Sequence, residues 1–292
     1  MAALDVTAVQ RREFATKGWT TVSGVFSSAE VEALQLACDE LLQHPGCSAI
    51  PGNPRVQLEP ETMDWQSPVV RKVEPVIDMS AELAELVHDP RMKAAAAAAL
   101  GVDDVILFED KLNYKPPRIG SSYPLHQDRS YWLELAPGIP ATDRLVTVTL
   151  LLDDATPENG CLRLVPGSQA GLMEKAPGEK HALVADPMTA VDAPGKAGDL
   201  LLFSVYTAHH SFANRSDHGR RVLLYTYNPE SEGDSYATYK GAHGLRCQQW
   251  LKENTGLVAS LPPPVPAGQA AAASQPVAVQ GYSVDDPRRG KL

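Results

Sequence analysis

From Val102 onward the chain breaks into short runs of β-branched and aromatic residues, each closed by a turn signal. The runs VILFEDKLNYK, RLVTVTLLLDD, CLRLVPGS, DLLLFSV and RRVLLYTYNP are bounded by punctuation such as P-E-N-G, P-G-S and K-A-G-D. Many short strands must bury their apolar faces against one another, which predicts a sandwich or a jelly roll.

The hundred residues before this region read mainly as helix. Thr7 is placed to cap a helix that stops at Gly18, and a short strand, Trp19 to Val22, follows. Ser27 and Glu30 form a capping box, with Phe26 and Val31 where a hydrophobic staple belongs. Val31, Leu34, Cys38, Leu41 and Leu42 give the helix they open an apolar face. Further helices are expected from Ala81 to His88 and from Asp89-Pro90 to about Gly101. Helices followed by strands predict an α+β fold. Its core is expected to be a double-stranded β-helix (jelly roll, cupin-like) over 102–230, flanked by N-terminal helices over 1–101. One domain is expected over 1–261. Residues 262–292, which include PPPVPAGQAAAASQPVAVQ, read as a flexible Pro/Ala-rich tail.

Charge and composition exclude several classes. The 292 residues carry a net charge of −10, which argues against a nucleic acid as the partner. No apolar run reaches the roughly eighteen residues of a membrane span. The opening MAALDVTAVQRREF lacks the apolar region of a secretory signal, so a cytoplasmic protein is expected. Cys38, Cys47, Cys161 and Cys247 are widely spaced and include no C-x-x-C pair, which fits reduced thiols better than disulfides or a zinc site.

His126 and Asp128, within PLHQDRSYW, are two residues apart. On an extended strand, positions i and i+2 share a face, so one imidazole and one carboxylate can meet one cation. A third ligand is available in HHSFANRSDHGRR, after the strand DLLLFSV. Two histidines and a carboxylate can fill one triangular face of an octahedral iron(II), leaving positions for a bidentate 2-oxo acid and for O2. The bare H-x-D spacing arises easily by chance, and it leaves the choice between His209 and His210 open.

The surroundings of these residues are more specific. NYKPP, HQDRSYW, LLLDDATPENGCLRLVPGSQ, and GDLLLF followed by HHSFANRSDHGRR occur in order between Asn113 and Arg221. Through them the chain resembles the phytanoyl-CoA dioxygenase family of iron(II)/2-oxoglutarate oxygenases. In that family the distal ligand is followed by Ser, Asn and Arg at fixed intervals. His209 reproduces all three with Ser211, Asn214 and Arg220, whereas His210 matches only with Arg221. The resemblance therefore implies His126, Asp128 and His209 as metal ligands, with His210 on the opposite face of its strand.

It also implies a site for 2-oxoglutarate. Arg220 is expected to fork onto the distal carboxylate, with Ser211 donating a hydrogen bond and Asn113 and Lys72 close by. Without the family, Arg220 would read as a surface charge paired with Asp217. Arg221 should face the other way, towards solvent. The implied chemistry couples O2 use and decarboxylation of 2-oxoglutarate to hydroxylation of a small molecule, with ascorbate as a stimulant. Related halogenases lack the carboxylate ligand, so Asp128 favours hydroxylation; desaturation, epimerisation and cyclisation start from the same centre. Trp132 lies where the family places an aromatic residue beside the substrate, and Tyr131, Arg129, Tyr206 and Tyr123 are its expected companions. Two other readings compete. A zinc-dependent hydrolase would want a further ligand cluster such as H-x-H-x-D and leaves Arg220 unexplained. A non-catalytic jelly-roll binding protein would be favoured by loss of a ligand or of Arg220, and none is lost.

Overall fold

The computed structural model describes residues 4, 6–50, 52–135, 143–175, 183 and 187–255. The 262–292 tail lies outside the described residues. Helix α1 (Ala8–Lys17) opens on a reciprocal box between Thr7 and Gln10 and stops at Gly18 in the left-handed conformation. Strand β1 (Trp19–Val22) follows, then α2 (Ser28–Gln43), opened by the Ser27–Glu30 box. Strands β2 (Val56–Leu58) and β3 (Val70–Val73) interrupt the helical region. The mainly helical reading passes over them because pieces this short carry no period of their own. Helix α3 (Ala81–Leu86) and helix α4 (Pro90–Leu100), capped by Asp89 and ended by Gly101, complete this part.

Beyond it come β4 (Val105–Lys115), β5 (Tyr123–His126), α5 (Asp128–Leu135), β6 (Val146–Leu151), β7 (Arg163–Leu164) and β8 (Val191–Asp192). The chain continues through β9 (Leu200–Ser204), β10 (His209–Ser211), β11 (Arg220–Pro229) and α6 (Tyr236–Thr255). Among the described residues the strands form two antiparallel sheets, ordered β1-β9-β6-β11-β4-β3-β2 and β5-β10-β7-β8.

Alternation along the central strands divides the molecule into two cores. Leu223, Tyr225 and Tyr227 of β11, Val146, Val148 and Leu150 of β6, and Leu200 and Leu202 of β9 pack outward against Val31, Leu34, Leu83 and Met92 of the helices. The intervening Val222, Leu224, Leu201 and Phe203 point inward and meet Leu164 of the small sheet. The Tyr225 and Tyr227 hydroxyls donate to the carbonyls of Leu83 and Val87, tying α3 and its end to the sheet. A buried ion pair between Arg55 and Asp78, with the Pro75 carbonyl as a further acceptor, fixes the connection around β3.

One expectation is corrected here. His126 ends β5 and Asp128 opens α5, so the H-x-D segment is a strand-to-helix turn and not a continuous strand. The cause lies in Gln127, which is fully buried. Its amide donates to the carbonyls of Ser168 and Gly171 at 3.3 and 2.8 Å and to that of Tyr206, and its oxygen accepts from Met173 N–H. The Ser130 hydroxyl donates back to the Gln127 carbonyl, closing the first turn of α5. Tertiary hydrogen bonds to one side chain thus override the extended conformation. Gln127→Leu, similar in volume but without polar atoms, strands several buried backbone groups. It is expected to lower stability by about 2 kcal/mol or more in urea unfolding, given about 1–3 kcal/mol per unsatisfied group.

Candidate active site

Two donors from one turn and a third from a distant strand converge between the two sheets. His126, Asp128 and His209 are all largely buried, and their ligand atoms lie within 4.8 Å of one another. β10 pairs with β5 so that His209 stands directly opposite His126. His126 Nε2 and His209 Nε2 are 3.5 and 3.9 Å from the same Asp128 oxygen. Each ring is oriented by the carbonyl two residues earlier: Nδ1 of His126 meets Pro124 O at 2.7 Å, and Nδ1 of His209 meets Thr207 O at 2.9 Å. With Nδ1 donating, Nε2 carries the lone pair and is the atom turned towards Asp128.

The protonation states suit a cation. Burial, with His126 alongside, pushes His209 down to about 4, leaving its ring neutral near pH 7. Burial would raise the Asp128 carboxyl, yet Lys111, His126 and His209 outweigh it and hold the group well below the usual carboxylate range. Its Oδ2 atom is buried with no hydrogen-bond partner. An ionised carboxylate oxygen left unpaired in the interior is costly, and a metal ion would satisfy it.

A cavity of about 230 Å³ opens from these residues. One end is built by β11 and β4, whose register sets Arg220 opposite Lys115 and Val222 opposite Asn113. Arg220, Val222 and Leu224 alternate onto the inner face and line the cavity. Arg220 is 3% exposed, and among the described residues no acid pairs with it. Burial pushes its guanidinium down from the ordinary value. Asp217, its partner if it were a surface charge, pairs instead with Arg118. Arg221 faces the other way, as expected, where it stays partly exposed and is held by Asp153 and Asp39. Lys115 is buried beside Arg220, donating to the carbonyls of Ser121 and Phe212; burial pushes it down to about 6.

Around Arg220, the cavity is lined by polar atoms that lack partners: Arg220 Nε, Ser211 Oγ, Tyr123 OH and Asn113 Oδ1. Asn214, the other residue of the spacing motif, is structural. Its amide donates to the carbonyls of Lys115, Pro116 and His218 and so clasps the loop before Arg220. Gly160, at φ +75°, is required close by, because a Cβ there would sit 2.3 Å from the Phe212 carbonyl oxygen.

The residues expected beside the substrate divide. Trp132 lines the cavity and packs edge-on against Phe108, with ring centroids 4.9 Å apart. Tyr123 lines it as well, under the Arg71 guanidinium. Arg129 and Tyr206 do not line it; both reach Asp143, at 3.3 and 2.7 Å. The Tyr131 side chain lies outside the described residues. His210 packs its ring against Phe212. Lys72 lines the same cavity and is bonded to Glu74 at 2.7 Å.

The charged stretch of the lining was not anticipated: Glu74, Glu109, Lys111, Gln57 and Tyr239 all line the cavity. Glu109, Lys111 and Asn113 are spaced by two along β4, and this run of polar residues on one strand face was the available signal. For Tyr239, on the polar helix α6, the sequence held none.

Comparison with known proteins agrees with this geometry. The chain is 33% identical over 173 residues to methylphosphonate hydroxylase of Gimesia maris, covering 58% of this chain and 62% of that protein. It is 34% identical over 144 residues to 2-aminoethylphosphonate dioxygenase of an uncultured bacterium, covering 47% of this chain and 51% of that protein. The match thus spans less than two thirds of either relative's own length. Among solved structures, EctD from S. alaskensis, crystallised with 2-oxoglutarate and 5-hydroxyectoine, superimposes with a TM-score of 0.63 at 28% identity, over 78% of this chain and 77% of that one. The profile of the phytanoyl-CoA dioxygenase (PhyH) family matches residues 14–222, and the chain belongs to that family.

Proposed function

We propose that this chain is an iron(II)- and 2-oxoglutarate-dependent dioxygenase that hydroxylates a small molecule. The observation that carries the reading is the set of unsatisfied buried groups in one cavity: Asp128 Oδ2 beside two oriented imidazoles, and Arg220, Ser211 and Tyr123 as unpartnered donors. Buried polar groups are almost always paired, so a cavity that leaves several orphaned is shaped for a ligand that pairs them. A cation held by two imidazoles and a carboxylate, next to a carboxylate held by arginine, meets both needs.

In this reading His126, Asp128 and His209 hold the metal. When bound, iron(II) supplies the O2 chemistry by which 2-oxoglutarate becomes succinate and CO2 while one oxygen atom enters a substrate C–H bond. The residues do the remaining work. Arg220 anchors the distal carboxylate, with Ser211 and Tyr123 donating to it, and Asn113 borders the same end. The carbonyls of Pro124 and Thr207 keep both imidazoles in the donating tautomer. Trp132, edge-on to Phe108, and Tyr239, stacked on it, form an aromatic wall that limits the access of water to the reacting centre.

A cytoplasmic location is part of the proposal. Four free, buried thiols fit a reducing compartment, and among the described residues no helix is long and apolar enough to cross a membrane.

Three outcomes are expected. Purified protein with iron(II), 2-oxoglutarate and ascorbate should release succinate, faster when substrate is present; absence of both iron binding and 2-oxoglutarate turnover across a metabolite panel would sink the proposal. His209→Ala should abolish stoichiometric iron(II) binding in equilibrium dialysis, while His210→Ala should retain it. Arg220→Ala should weaken 2-oxoglutarate binding by about two orders of magnitude in calorimetry and spare the metal, the order expected for truncating one partner of a buried charge pair.

A further inference from the structure

Three buried charged side chains converge on one serine. Glu59 accepts the Ser121 N–H at 3.0 Å, Lys115 donates to the Ser121 carbonyl at 2.6 Å, and Arg71 donates to the Ser121 hydroxyl at 2.7 Å. These three residues are 1%, 0% and 8% exposed. Arg71 also donates to the Ser122 carbonyl at 3.2 Å, and among the described residues no acid pairs with it. Burying charge is costly, and here the cost falls on a short segment that leads into β5.

What the segment delivers is Tyr123. The Arg71 guanidinium lies over its ring, with Cζ 3.9 Å from the centroid, and Lys115 Nζ is 5.3 Å from the same point. The Tyr123 hydroxyl is buried without a hydrogen-bond partner in the cavity that Arg220 lines. Arg71 itself does not line that cavity, so it reaches a bound ligand only through Tyr123. A cation against the face of a phenol draws electron density from the ring and its O–H, which strengthens the hydroxyl as a donor. A brace for Ser121 and Ser122 needs only the two hydrogen bonds. The stack on the ring is the additional feature.

We infer that Arg71 is a positioning residue for the cosubstrate: it holds and polarises Tyr123 so that the phenol donates to the distal carboxylate of 2-oxoglutarate. This deepens the oxygenase reading, on which it rests, by adding to Arg220 a second cation that acts on the same carboxylate without touching it. A carboxylate offers about four acceptor positions, and the Arg220 fork fills two of them, which leaves places for the phenol and for Ser211.

The test compares 2-oxoglutarate with 2-oxovalerate, which has the same carbon chain and 2-oxo acid end but no distal carboxylate. Each is titrated anaerobically, by calorimetry, into iron(II)-loaded protein. Tyr123→Phe, which keeps the ring and its stack, should weaken 2-oxoglutarate about tenfold, the order of a hydrogen bond to a charged group. Arg71→Gln should weaken it about fivefold. Arg71→Lys, which keeps the charge but not the planar stack, should fall between Arg71→Gln and the wild type. All three should bind iron(II) and 2-oxovalerate as the wild type does. Added to Tyr123→Phe, Arg71→Gln should cost less than about twofold more, because the hydroxyl it acts through is gone. Additive losses, or equal loss of both acids, overturn the inference and leave Arg71 as a brace of its segment. An Arg71→Gln protein that fails to fold shows itself by lost iron(II) binding, and Arg71→Lys then takes its place in the same cycle. Unchanged 2-oxoglutarate affinity in Tyr123→Phe overturns the inference by itself. Failure of the wild-type protein to bind 2-oxoglutarate with iron(II) defeats the oxygenase reading, and this one with it.

Discussion

A slip of β11 by one residue against β4 and β6 would exchange Arg220 for Arg221 at the end of the cavity. It would also turn Leu223, Tyr225 and Tyr227 away from the helices. Side-chain direction alternates along a strand, so a single register decides both the outer core and the inner site. That register is over-determined. Ten residue pairs join β11 to β4 and six join it to β6, while two tyrosine hydroxyls reach the carbonyls of Leu83 and Val87. Arg221 adds a lock of its own through Asp153 and Asp39.

The inner face bears what such packing makes bearable. A guanidinium at 3% exposure, with no acid paired to it among the described residues, is by itself an unfavourable feature. So is a carboxylate oxygen without a donor. Both sit in a shell of leucine, valine and phenylalanine that supplies the stability they take away. Strain of this kind, gathered in one cavity and relieved by ligands, is what separates a site from a core.

Local features were legible in the sequence, and features set by distant contacts were not. The Thr7 and Ser27 caps need only residues three apart, and both stand where the sequence puts them. Arg220 and Arg221 separate by the period of two in RRVLLYTYNP. The H-x-D turn escaped because Gln127 is held by Ser168, Gly171, Met173 and Tyr206, all more than forty residues away. The charged wall escaped for the same reason: Lys240 meets Glu109 across 131 positions. Helix α6 presents few apolar residues, with Cys247 and Leu251 among the buried ones, so no periodicity announced it. Tyr206 and Arg129 sit near the ligands in sequence, but Asp143 draws both side chains to itself.

The two halves of the cavity hang on different parts of the sheet. Arg220, Ser211 and the cluster of His126, Asp128 and His209 belong to the central ladder and its facing strands, where a changed residue disturbs both cores. Lys72 and its glutamate belong to β3, one strand from the sheet's edge, and Lys240 and Tyr239 to a helix that follows the last strand. Under the oxygenase reading, descendants of this chain would be free to diverge in substrate by altering the periphery while the centre that carries the reaction is inherited unchanged.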